Sequence, residues 1–251
     1  MLLTAEKLAR LIDISAVRAQ HGEREIREMV QRAREHRFIA VHVLPCWVRF
    51  LRAQLEGEAD ILVGAPVGFP SGGHTTAVKV FEARGLVADG VQEMDMVVNI
   101  GKLRAGHHDE VREDIRAVVE AAAPVPVKVI LEVHHLTPEE IKRGCELAIS
   151  AHAAFIKTST GWAPSGATLE TVRLITSFVG SAIQVKAAGS VRSLETVVAM
   201  LKMGVTRFGI NLDSSIEILR ECKARPGGGV EVSAELGAAL GAPALRSQTV
   251  A

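Results

Sequence analysis

The chain has 251 residues, 48% of them apolar, which is enough for one large hydrophobic core or two smaller ones. Its 29 basic residues balance its 29 acidic residues, so the composition gives no indication of a nucleic-acid or anionic-membrane partner. No apolar run reaches the roughly 18 residues of a membrane span, and the N-terminus lacks the basic start and long apolar stretch of a signal peptide.

Short apolar runs alternate with longer amphipathic stretches from the N-terminus onwards. The runs are rich in Val and Ile and are mostly continuous rather than alternating, which is typical of buried parallel strands. In chain order we predict strands at residues 11–15, 38–43, 61–68, 93–100, 127–133, 153–158, 182–187 and 206–210. Helical patterns between them include residues 75–88, 107–122, 138–150, 167–179 and 193–203.

Eight strands, each followed by helical sequence, predict an α/β protein built as a single (β/α)8 TIM barrel. We assign this barrel to residues 1–224. A doubly wound open sheet is the structural alternative, but no Gly-x-Gly-x-x-Gly follows an early strand. The Gly- and Ala-rich residues 225–251 are expected to form a short, mobile C-terminal tail.

Two lysines lie near the C-terminal ends of predicted strands, Lys157 in Phe-Ile-Lys-Thr-Ser-Thr and Lys186 in Gln-Val-Lys-Ala-Ala. A lysine in such a position loses hydration of its ammonium group, and a second ammonium nearby adds repulsion. Both effects lower the lysine pKa, and a neutral lysine amine can attack a carbonyl carbon. The alternative is a pair of lysines whose ammonium groups reach solvent from the strand ends.

Asp95 is an acid within the apolar run of residues 93–100 and therefore needs a cationic partner. Strands of a parallel barrel end at one face, so Asp95 is expected near Lys157 and Lys186. The three residues form a set suited to imine chemistry, with a nucleophile, a pKa modulator and a proton carrier. A purely structural salt bridge is the alternative role for Asp95. Other polar residues in or near the strands are Asp13, His42, Asn99, Lys128, Glu132 and Asn211.

Seven motifs occur in order: Gly68-Phe69-Pro70, Thr75-Thr76-x-Val78-Lys79-x-Phe81-Glu82, Glu93-x-Asp95-Met96-Val97-x-Asn99-Ile100-Gly101, Val127-Lys128-Val129-Ile130-Leu131-Glu132, Phe155-Ile156-Lys157-Thr158-Ser159-Thr160-Gly161, Val185-Lys186-x-x-Gly189-x-Val191-Arg192 and Arg207-Phe208-Gly209. In these motifs and their spacing, the sequence resembles the deoxyribose-phosphate aldolases, class I (Schiff-base) aldolases on a (β/α)8 barrel. The resemblance extends from about Leu11 to about Leu219.

The resemblance implies that Lys157 forms an imine with an aldehyde, that Lys186 depresses the pKa of Lys157, and that Asp95 helps to move protons. It implies reversible cleavage of 2-deoxy-D-ribose 5-phosphate to D-glyceraldehyde 3-phosphate and acetaldehyde. The partners are then small molecules, a homodimer is a further expectation, and neither a metal nor a cofactor is required. The histidines agree, because no His-Glu-x-x-His spacing occurs and the adjacent pairs at 107–108 and 134–135 should point to different faces.

The substrate phosphate is expected near the loops after the last two strands, where such barrels usually bind it. A glycine turn, backbone amides and a cation occur together there, and the resemblance adds positions on other loops. The candidate substrate- and phosphate-binding residues are Gly161, Gly189, Ser190, Arg192, Gly209, Asn211, Asp13 and Lys128.

The sequence departs from the family pattern at the substrate end. Asn211 and Leu212 replace the usual serine pair, and Ser190 replaces the second glycine of a Gly-Gly turn. His42 stands where a cysteine is common, and the chain has no tyrosine, although some members use one on the tail as a proton donor. A related class I aldolase for a different or unphosphorylated aldehyde is therefore one alternative. A non-catalytic sugar-phosphate-binding barrel is another, although Asp95 would repel a phosphate.

The cysteines bear on the compartment in which the protein works. Cys46, Cys145 and Cys222 are widely spaced and include no Cys-x-x-Cys pair. Such spacing is typical of reduced thiols in a cytosolic protein. We therefore expect a cytoplasmic location.

Overall fold

A computed structural model of the chain describes residues 1–233. Eight parallel strands, from Ile12–Ala16 (β2) to Arg207–Gly209 (β9), close into a barrel in chain order, with each strand paired to the next and the last paired back to the first. The strands are β1 Leu2–Thr4, β2 Ile12–Ala16, β3 Ala40–Val43, β4 Leu62–Val67, β5 Glu93–Val97, β6 Val127–Ile130, β7 Phe155–Lys157, β8 Gln184–Ala188, β9 Arg207–Gly209 and β10 Gly229–Glu231. The predicted (β/α)8 TIM barrel is confirmed.

Helices separate the barrel strands and cover the outside of the barrel. They are α1 Ala5–Ala9, α2 Glu23–His36, α3 Val48–Gln54, α4 Thr76–Ala88, α5 Ile100–Arg104, α6 His108–Ala122, α7 Pro138–Ser150, α8 Leu169–Val179, α9 Leu194–Lys202 and α10 Leu212–Ala224. The start of α7 follows from its sequence, because Pro138 is its first residue and Thr137 and Glu140 on either side form a reciprocal capping box. Within residues 1–233, no helix combines the length and the apolar character needed to cross a membrane.

Most of the predicted strands are shorter in the structure than expected, and for the two predicted at 93–100 and 127–133 the reason for the early end is local. The strand predicted at 93–100 ends at Val97, because Asn99 caps the short helix α5 by accepting a hydrogen bond from the Lys102 amide at 3.1 Å. The strand predicted at 127–133 ends at Ile130, because Glu132 adopts a left-handed backbone conformation with φ 55°. Both strands therefore turn away from the sheet directly beneath the loops that surround the barrel mouth.

An antiparallel pair outside the barrel joins the two ends of the described chain. Strand β1 pairs with β10, and the N-terminal ammonium of Met1 donates to the Val232 carbonyl at 2.8 Å. Residues 229–231 of the predicted C-terminal segment are thus hydrogen-bonded to residues 2–4. Residues 234–251 lie outside the described residues, so the boundary after residue 224 and the mobility of the tail stay predictions.

Strand register places charged side chains inside the barrel and apolar ones outside it. Asp95 lies opposite Lys128 across β5 and β6, and Lys157 lies opposite Lys186 across β7 and β8. Successive side chains of a strand point to opposite faces, so Met94, which precedes Asp95 on β5, faces the surrounding helices and is fully buried. The barrel therefore has an apolar outer layer and an ionic centre.

Candidate active site

A cavity of about 360 Å³ opens at the C-terminal ends of the barrel strands. Its floor includes Asp95, Lys157 and Lys186, and loops that follow several strands form its rim. Pockets in this position are where TIM-barrel proteins carry their functional groups. The three residues predicted to form the imine-chemistry set therefore meet in one place.

Lys157 ends strand β7 and is only 9% exposed. Its Nζ donates a hydrogen bond to Asp95 Oδ2 at 2.8 Å. Burial lowers the pKa of Lys157 to about 8, and the positive charges of Lys186 and Lys128 add to this effect while Asp95 opposes it. The Lys157 amine is consequently neutral near neutral pH far more often than that of an ordinary lysine.

Lys186 occupies the matching position on strand β8, but its environment has the opposite effect. Its Nζ lies 2.6 Å from Asp13 Oδ2 and 2.7 Å from Asp95 Oδ2. Burial favours the neutral amine, but Asp13 and Asp95 outweigh it and raise the pKa of Lys186 above its ordinary value. The number of carboxylate partners thus distinguishes the two lysines: Lys186 has two and stays charged, whereas Lys157 has one and loses its proton readily.

The structure ranks the two effects that were expected from sequence to lower the pKa of a lysine here. Loss of hydration and repulsion between the two ammonium groups were both expected to depress the lysine pKa. In the structure burial is the largest cause for Lys157, and the charge of Lys186 comes after both burial and the opposing effect of Asp95. The direction of the influence of Lys186 on Lys157 nevertheless agrees with the expectation.

Beneath the lysines lies a second layer of buried charge. Glu93 contacts His42 Nε2 at 2.7 Å, Lys128 Nζ at 2.9 Å and the Arg207 guanidinium at 3.2 Å. Arg207 also contacts Asp13 at 2.5 Å. Despite burial, which opposes ionisation, Arg207 and Lys128 lower the pKa of Glu93 to about 2.

Charge balance across the floor favours a neutral Lys157. Histidine aside, three carboxylates face four basic side chains, and the members of this floor cluster are Asp13, Glu93, Asp95, Lys128, Lys157, Lys186 and Arg207. Buried ionic groups are stable when each charge is compensated. The cluster is balanced when Lys157 is neutral and carries an excess positive charge when Lys157 is protonated, which agrees with the lowered pKa.

The carboxylates of the floor are committed to these basic side chains rather than to a metal ion. Oxygen and nitrogen atoms of Asp13, His42 and Glu93 lie within 4.8 Å of one another, as the ligands of a cation would. However, Lys186 and Arg207 already contact Asp13, and Arg207 and Lys128 contact Glu93. A divalent ion would have to displace these cations, so the residues present fit an internal ion-pair network better.

His42 is held between the floor carboxylates and strand β4. Its Nδ1 lies 3.7 Å from Asp95 Oδ2, and its ring packs directly on the backbone of Gly64. A Cβ at position 64 would come within 2.3 Å of the imidazole, so only glycine leaves room for the ring. The histidine at this position therefore depends on the glycine across the sheet.

The rim of the cavity contains the predicted phosphate-binding turn. Gly189 and Ser190 follow strand β8 with positive φ angles of 78° and 65°, and Arg192 comes two residues later. Gly189 packs against Gly166, where a Cβ would come within 2.6 Å of the Gly189 Cα. Such a turn directs backbone N–H groups to one side, as anion-binding turns do.

All but one of the predicted site residues line this cavity. Asn211 does so while using its side-chain oxygen to cap α10, where it accepts a hydrogen bond from the Ser214 amide at 2.9 Å. Lys128 is the exception, because it is fully buried beneath the cavity and contacts Glu93 and Asp95. It cannot touch a substrate in this structure, and we reassign it from substrate contact to support of the floor carboxylates.

A further correction concerns His134 and His135, which were expected to point to different faces. They lie in the 3-10 turn Val133–His135, and their rings contact each other edge-on with centroids 4.9 Å apart. His134 Nδ1 also lies 2.7 Å from the hydroxyl of Ser165, a residue of the cavity rim. The expectation failed because a tight turn, unlike a strand, brings neighbouring side chains together.

Three residues at or next to the site were given no role from the sequence. Glu132 accepts hydrogen bonds from the amide and hydroxyl of Thr160 and so fixes the loop that follows β7. Arg18 and His21, from the loop after β2, also line the cavity. An acid at the end of an apolar run, as at Glu132, was a usable signal in the sequence, whereas Arg18 and His21 lie among other charged or polar loop residues and gave none.

Comparison with known proteins gives a consistent result. The family model described as DeoC/LacD family aldolase matches residues 12–211. The chain is 51% identical over 225 residues to a deoxyribose-phosphate aldolase of Klebsiella pneumoniae, covering 89% of this chain and 90% of that protein. A deoxyribose-phosphate aldolase of Rhizobium meliloti is 48% identical over 235 residues, covering 94% of this chain and 95% of its own.

Structural comparison agrees with the sequence relationship. The solved structure of QR15, an aldolase, superposes with a TM-score of 0.79 at 39% identity, covering 85% of this chain and 94% of that one. Residues 12–211, which the family model matches, include every barrel strand and the lysine pair at the barrel mouth. The chain belongs to the DeoC/LacD family of aldolases.

Proposed function

We propose that this protein is a class I aldolase that reversibly cleaves 2-deoxy-D-ribose 5-phosphate to D-glyceraldehyde 3-phosphate and acetaldehyde. One observation carries the mechanism: Lys157 is buried at the barrel mouth with a pKa of about 8, beside a lysine that stays charged. A neutral amine in a small cavity is the nucleophile that imine formation needs. The substrate is inferred from relatives about half identical in sequence, which are named deoxyribose-phosphate aldolases.

The proposed reaction begins with attack of the Lys157 amine on the aldehyde carbon of the open-chain sugar. The carbinolamine loses water to give a protonated imine, which withdraws electrons from the neighbouring carbon–carbon bond. That bond breaks as the adjacent hydroxyl loses its proton and becomes the aldehyde of glyceraldehyde 3-phosphate. The electron pair is stored as an enamine, which is protonated at carbon, and water then releases acetaldehyde and restores Lys157.

Proton transfer in these steps is assigned to Asp95 together with Lys186. Burial opposes ionisation of Asp95, but Lys157, then Lys186 and Lys128, hold its pKa well below the ordinary range. Asp95 is therefore a carboxylate before substrate binds and must accept a proton before it can donate one. Lys186, bonded to the same oxygen at 2.7 Å, is the charged donor that can exchange a proton with it.

The phosphate is assigned to the rim turn formed by Gly189, Ser190 and Arg192. The turn offers backbone amides and a guanidinium, and the N-terminus of α9 follows it at Leu194. Gly161, Gly209 and Asn211 complete this side of the cavity. Because the Asn211 oxygen is committed to the cap of α10, only its amide group remains to donate to a phosphate.

The direct test is cleavage of 2-deoxy-D-ribose 5-phosphate by the purified protein. We expect equimolar acetaldehyde and glyceraldehyde 3-phosphate, and no product from Lys157→Met, which keeps the volume of the side chain without its amine. Lack of product from the wild-type protein, or product formation by Lys157→Met, would reject the proposal. If the wild-type protein forms no product, the non-catalytic sugar-phosphate-binding barrel becomes the better account.

A second candidate keeps the imine chemistry but uses an unphosphorylated or different aldehyde. Replacement of the usual serine pair by Asn211 and Leu212 favours it, because the side chain of Leu212 offers no hydrogen bond to a phosphate. Comparison of kcat/KM for 2-deoxy-D-ribose 5-phosphate and free 2-deoxy-D-ribose distinguishes the two. We expect a clear preference for the phosphate, and Arg192→Ala should remove a large part of it.

We further propose that the chain forms a homodimer and works in the cytoplasm. Phe81 on α4 is 80% exposed and Val78, one turn earlier, is 48% exposed, which gives an apolar patch suited to burial against a second copy. The three cysteines are free thiols, as is typical of a reducing compartment. Light scattering after size-exclusion chromatography would test the dimer.

A further inference from the structure

Arg18 is a cation at the cavity rim for which the proposed reaction has so far supplied no role. It lies in the loop after β2, and its guanidinium Nη2 donates to the Gly161 carbonyl at 2.8 Å. Its guanidinium carbon lies 5.5 Å from the centre of the Trp162 ring. Trp162 in turn contacts Phe69 edge-on, with ring centroids 5.6 Å apart. The loop after β7, supported by Phe69 from the loop after β4, therefore holds the Arg18 guanidinium at the cavity.

The positive charge of Arg18 is not neutralised by the protein in the part of the chain that the structure describes. Over residues 1–233, Arg18 forms no ion pair with a carboxylate, and neither does Arg192. The two acids that line the cavity, Asp13 and Asp95, are occupied by Lys186, Lys157 and Arg207. The floor is thus balanced in charge when Lys157 is neutral, while the rim carries two uncompensated guanidinium groups.

The contacts of Arg18 restrict its position while leaving donors free. One N–H of a guanidinium satisfies the Gly161 carbonyl, and several of its five N–H groups remain available. Stacking on an aromatic face reduces the rotamer freedom that a long side chain would otherwise lose on binding. A planar cation presented in this way suits the oxygens of a phosphate, which arginine binds in a bidentate manner.

We propose that Arg18 is a specificity-determining residue that binds the phosphate group of the substrate from the side of the cavity formed by the loop after β2. This inference rests on the proposed aldolase function. Arg192 belongs to the loop after β8 and Arg18 to the loop after β2, so the dianion is held between two cations rather than by one. Trp162 acts through Arg18 by supporting its guanidinium and is a positioning residue.

Loss of the Arg18 guanidinium should change the substrate preference by a measurable factor. A charge-assisted hydrogen bond is strong enough that its loss lowers affinity roughly tenfold or more. Arg18→Ala should therefore lower the ratio of kcat/KM for 2-deoxy-D-ribose 5-phosphate over free 2-deoxy-D-ribose by about tenfold or more. The change should lie mainly in KM for the phosphorylated sugar, because Arg18 is proposed to contact the phosphate and not the reacting carbon.

The experiment compares four variants with the wild-type protein on both sugars. Arg18→Lys should retain part of the ratio, since it keeps the charge and loses the fork of donors, and Trp162→Ala should lower the ratio less than Arg18→Ala does. Arg27→Ala is the matched control, because Arg27 is an exposed arginine on α2 that pairs with Glu23 away from the cavity. The inhibition constant of inorganic phosphate should weaken in Arg18→Ala and not in Arg27→Ala.

The outcomes separate this inference from the proposal on which it rests. If the wild-type protein prefers the phosphorylated sugar and Arg18→Ala keeps the ratio of kcat/KM for the two sugars within about twofold of wild type, the role of Arg18 is overturned. The aldolase proposal is unaffected by that result. A wild-type protein that cleaves both sugars equally well also overturns it. A wild-type protein that forms no imine with acetaldehyde instead rejects the aldolase itself.

Discussion

Replacing Lys186 with methionine tests how the floor cluster sets the reactivity of Lys157. Methionine has a similar length and no charge, so the change removes a cation without leaving a large cavity. In the wild-type protein the Lys186 ammonium lies between Asp13 at 2.6 Å and Asp95 at 2.7 Å. Without it, Lys128 and Arg207 are the remaining basic partners of three carboxylates, and a protonated Lys157 adds the third.

The sign of the effect on Lys157 follows from two causes that act together. The variant loses a positive charge that lowers the pKa of Lys157, and it frees Asp95 to interact more strongly with the Lys157 ammonium. Both raise the pKa from about 8 towards the ordinary value of 10.5. At about pH 7.5 a pKa of about 8 leaves roughly a quarter of the amine neutral, and raising the pKa by about one lowers that fraction about tenfold.

The assay is the pH dependence of kcat/KM for 2-deoxy-D-ribose 5-phosphate. The wild-type profile should rise with pH through about 8, because the neutral amine is the reactive form. In Lys186→Met the same rise should move to higher pH, and kcat/KM at neutral pH should fall about tenfold for every pH unit by which the rise moves. A variant whose profile still rises near pH 8 with normal activity would refute the reasoning.

Lys79→Met provides the matched control for burial of a lysine. Lys79 is fully buried and bonded to Asp114 at 2.6 Å, and it does not line the cavity. Breaking a buried ion pair from one side typically costs about 3–5 kcal/mol of stability, so both variants should melt at lower temperature. Only Lys186→Met should move the pH profile, and an equal movement in Lys79→Met would trace the effect to general destabilisation.

Three further predictions address the proton carrier, the packing of the site and the assembly. Asp95→Asn should lower kcat by about a hundredfold or more, because Asp95 is the proposed proton carrier. The rise of the pH profile should move to lower pH, because Asp95 raises the pKa of Lys157. A change in KM alone would make Asp95 a binding residue. Gly64→Ala should lower the free energy of unfolding by about 1–3 kcal/mol, because the new Cβ meets the His42 ring. Gly85→Ala on α4 is the control, because its Cβ meets open space and should not destabilise the protein. Equal stability of the two variants in urea would contradict this prediction. Phe81→Glu should convert a dimer to a monomer in light scattering, and a monomeric wild-type protein would contradict the assembly.

The lysine pair and Asp95 could be predicted from sequence because their signal is local. A lysine at the end of an apolar strand, as at Lys157, stands out against the residues immediately around it. Barrel topology then brings the ends of neighbouring strands together, so only the strand order was needed to pair Lys157 with Lys186. The location of the Gly189 turn follows by the same logic.

The partners of Asp13 and Glu93 within the floor cluster could not be predicted, because they depend on how the barrel closes. Arg207 bonds Asp13 across 194 positions of sequence, and Arg18 reaches the Gly161 carbonyl across 143. Such contacts arise from strand register and loop paths that leave no mark in local sequence. The same holds for the short pairing of β1 with β10, where three residues at each end carry too little pattern to identify a strand.

The central claim is that Lys157 alone forms the imine, and reductive trapping tests it most directly. The protein is incubated with acetaldehyde and borohydride, digested, and its peptides are mapped by mass spectrometry. We predict a single ethylated residue, Lys157, because Lys186, although it also reaches the cavity, has a raised pKa and stays charged. An ethyl group on Lys186, or no labelling of the protein at all, would contradict the account.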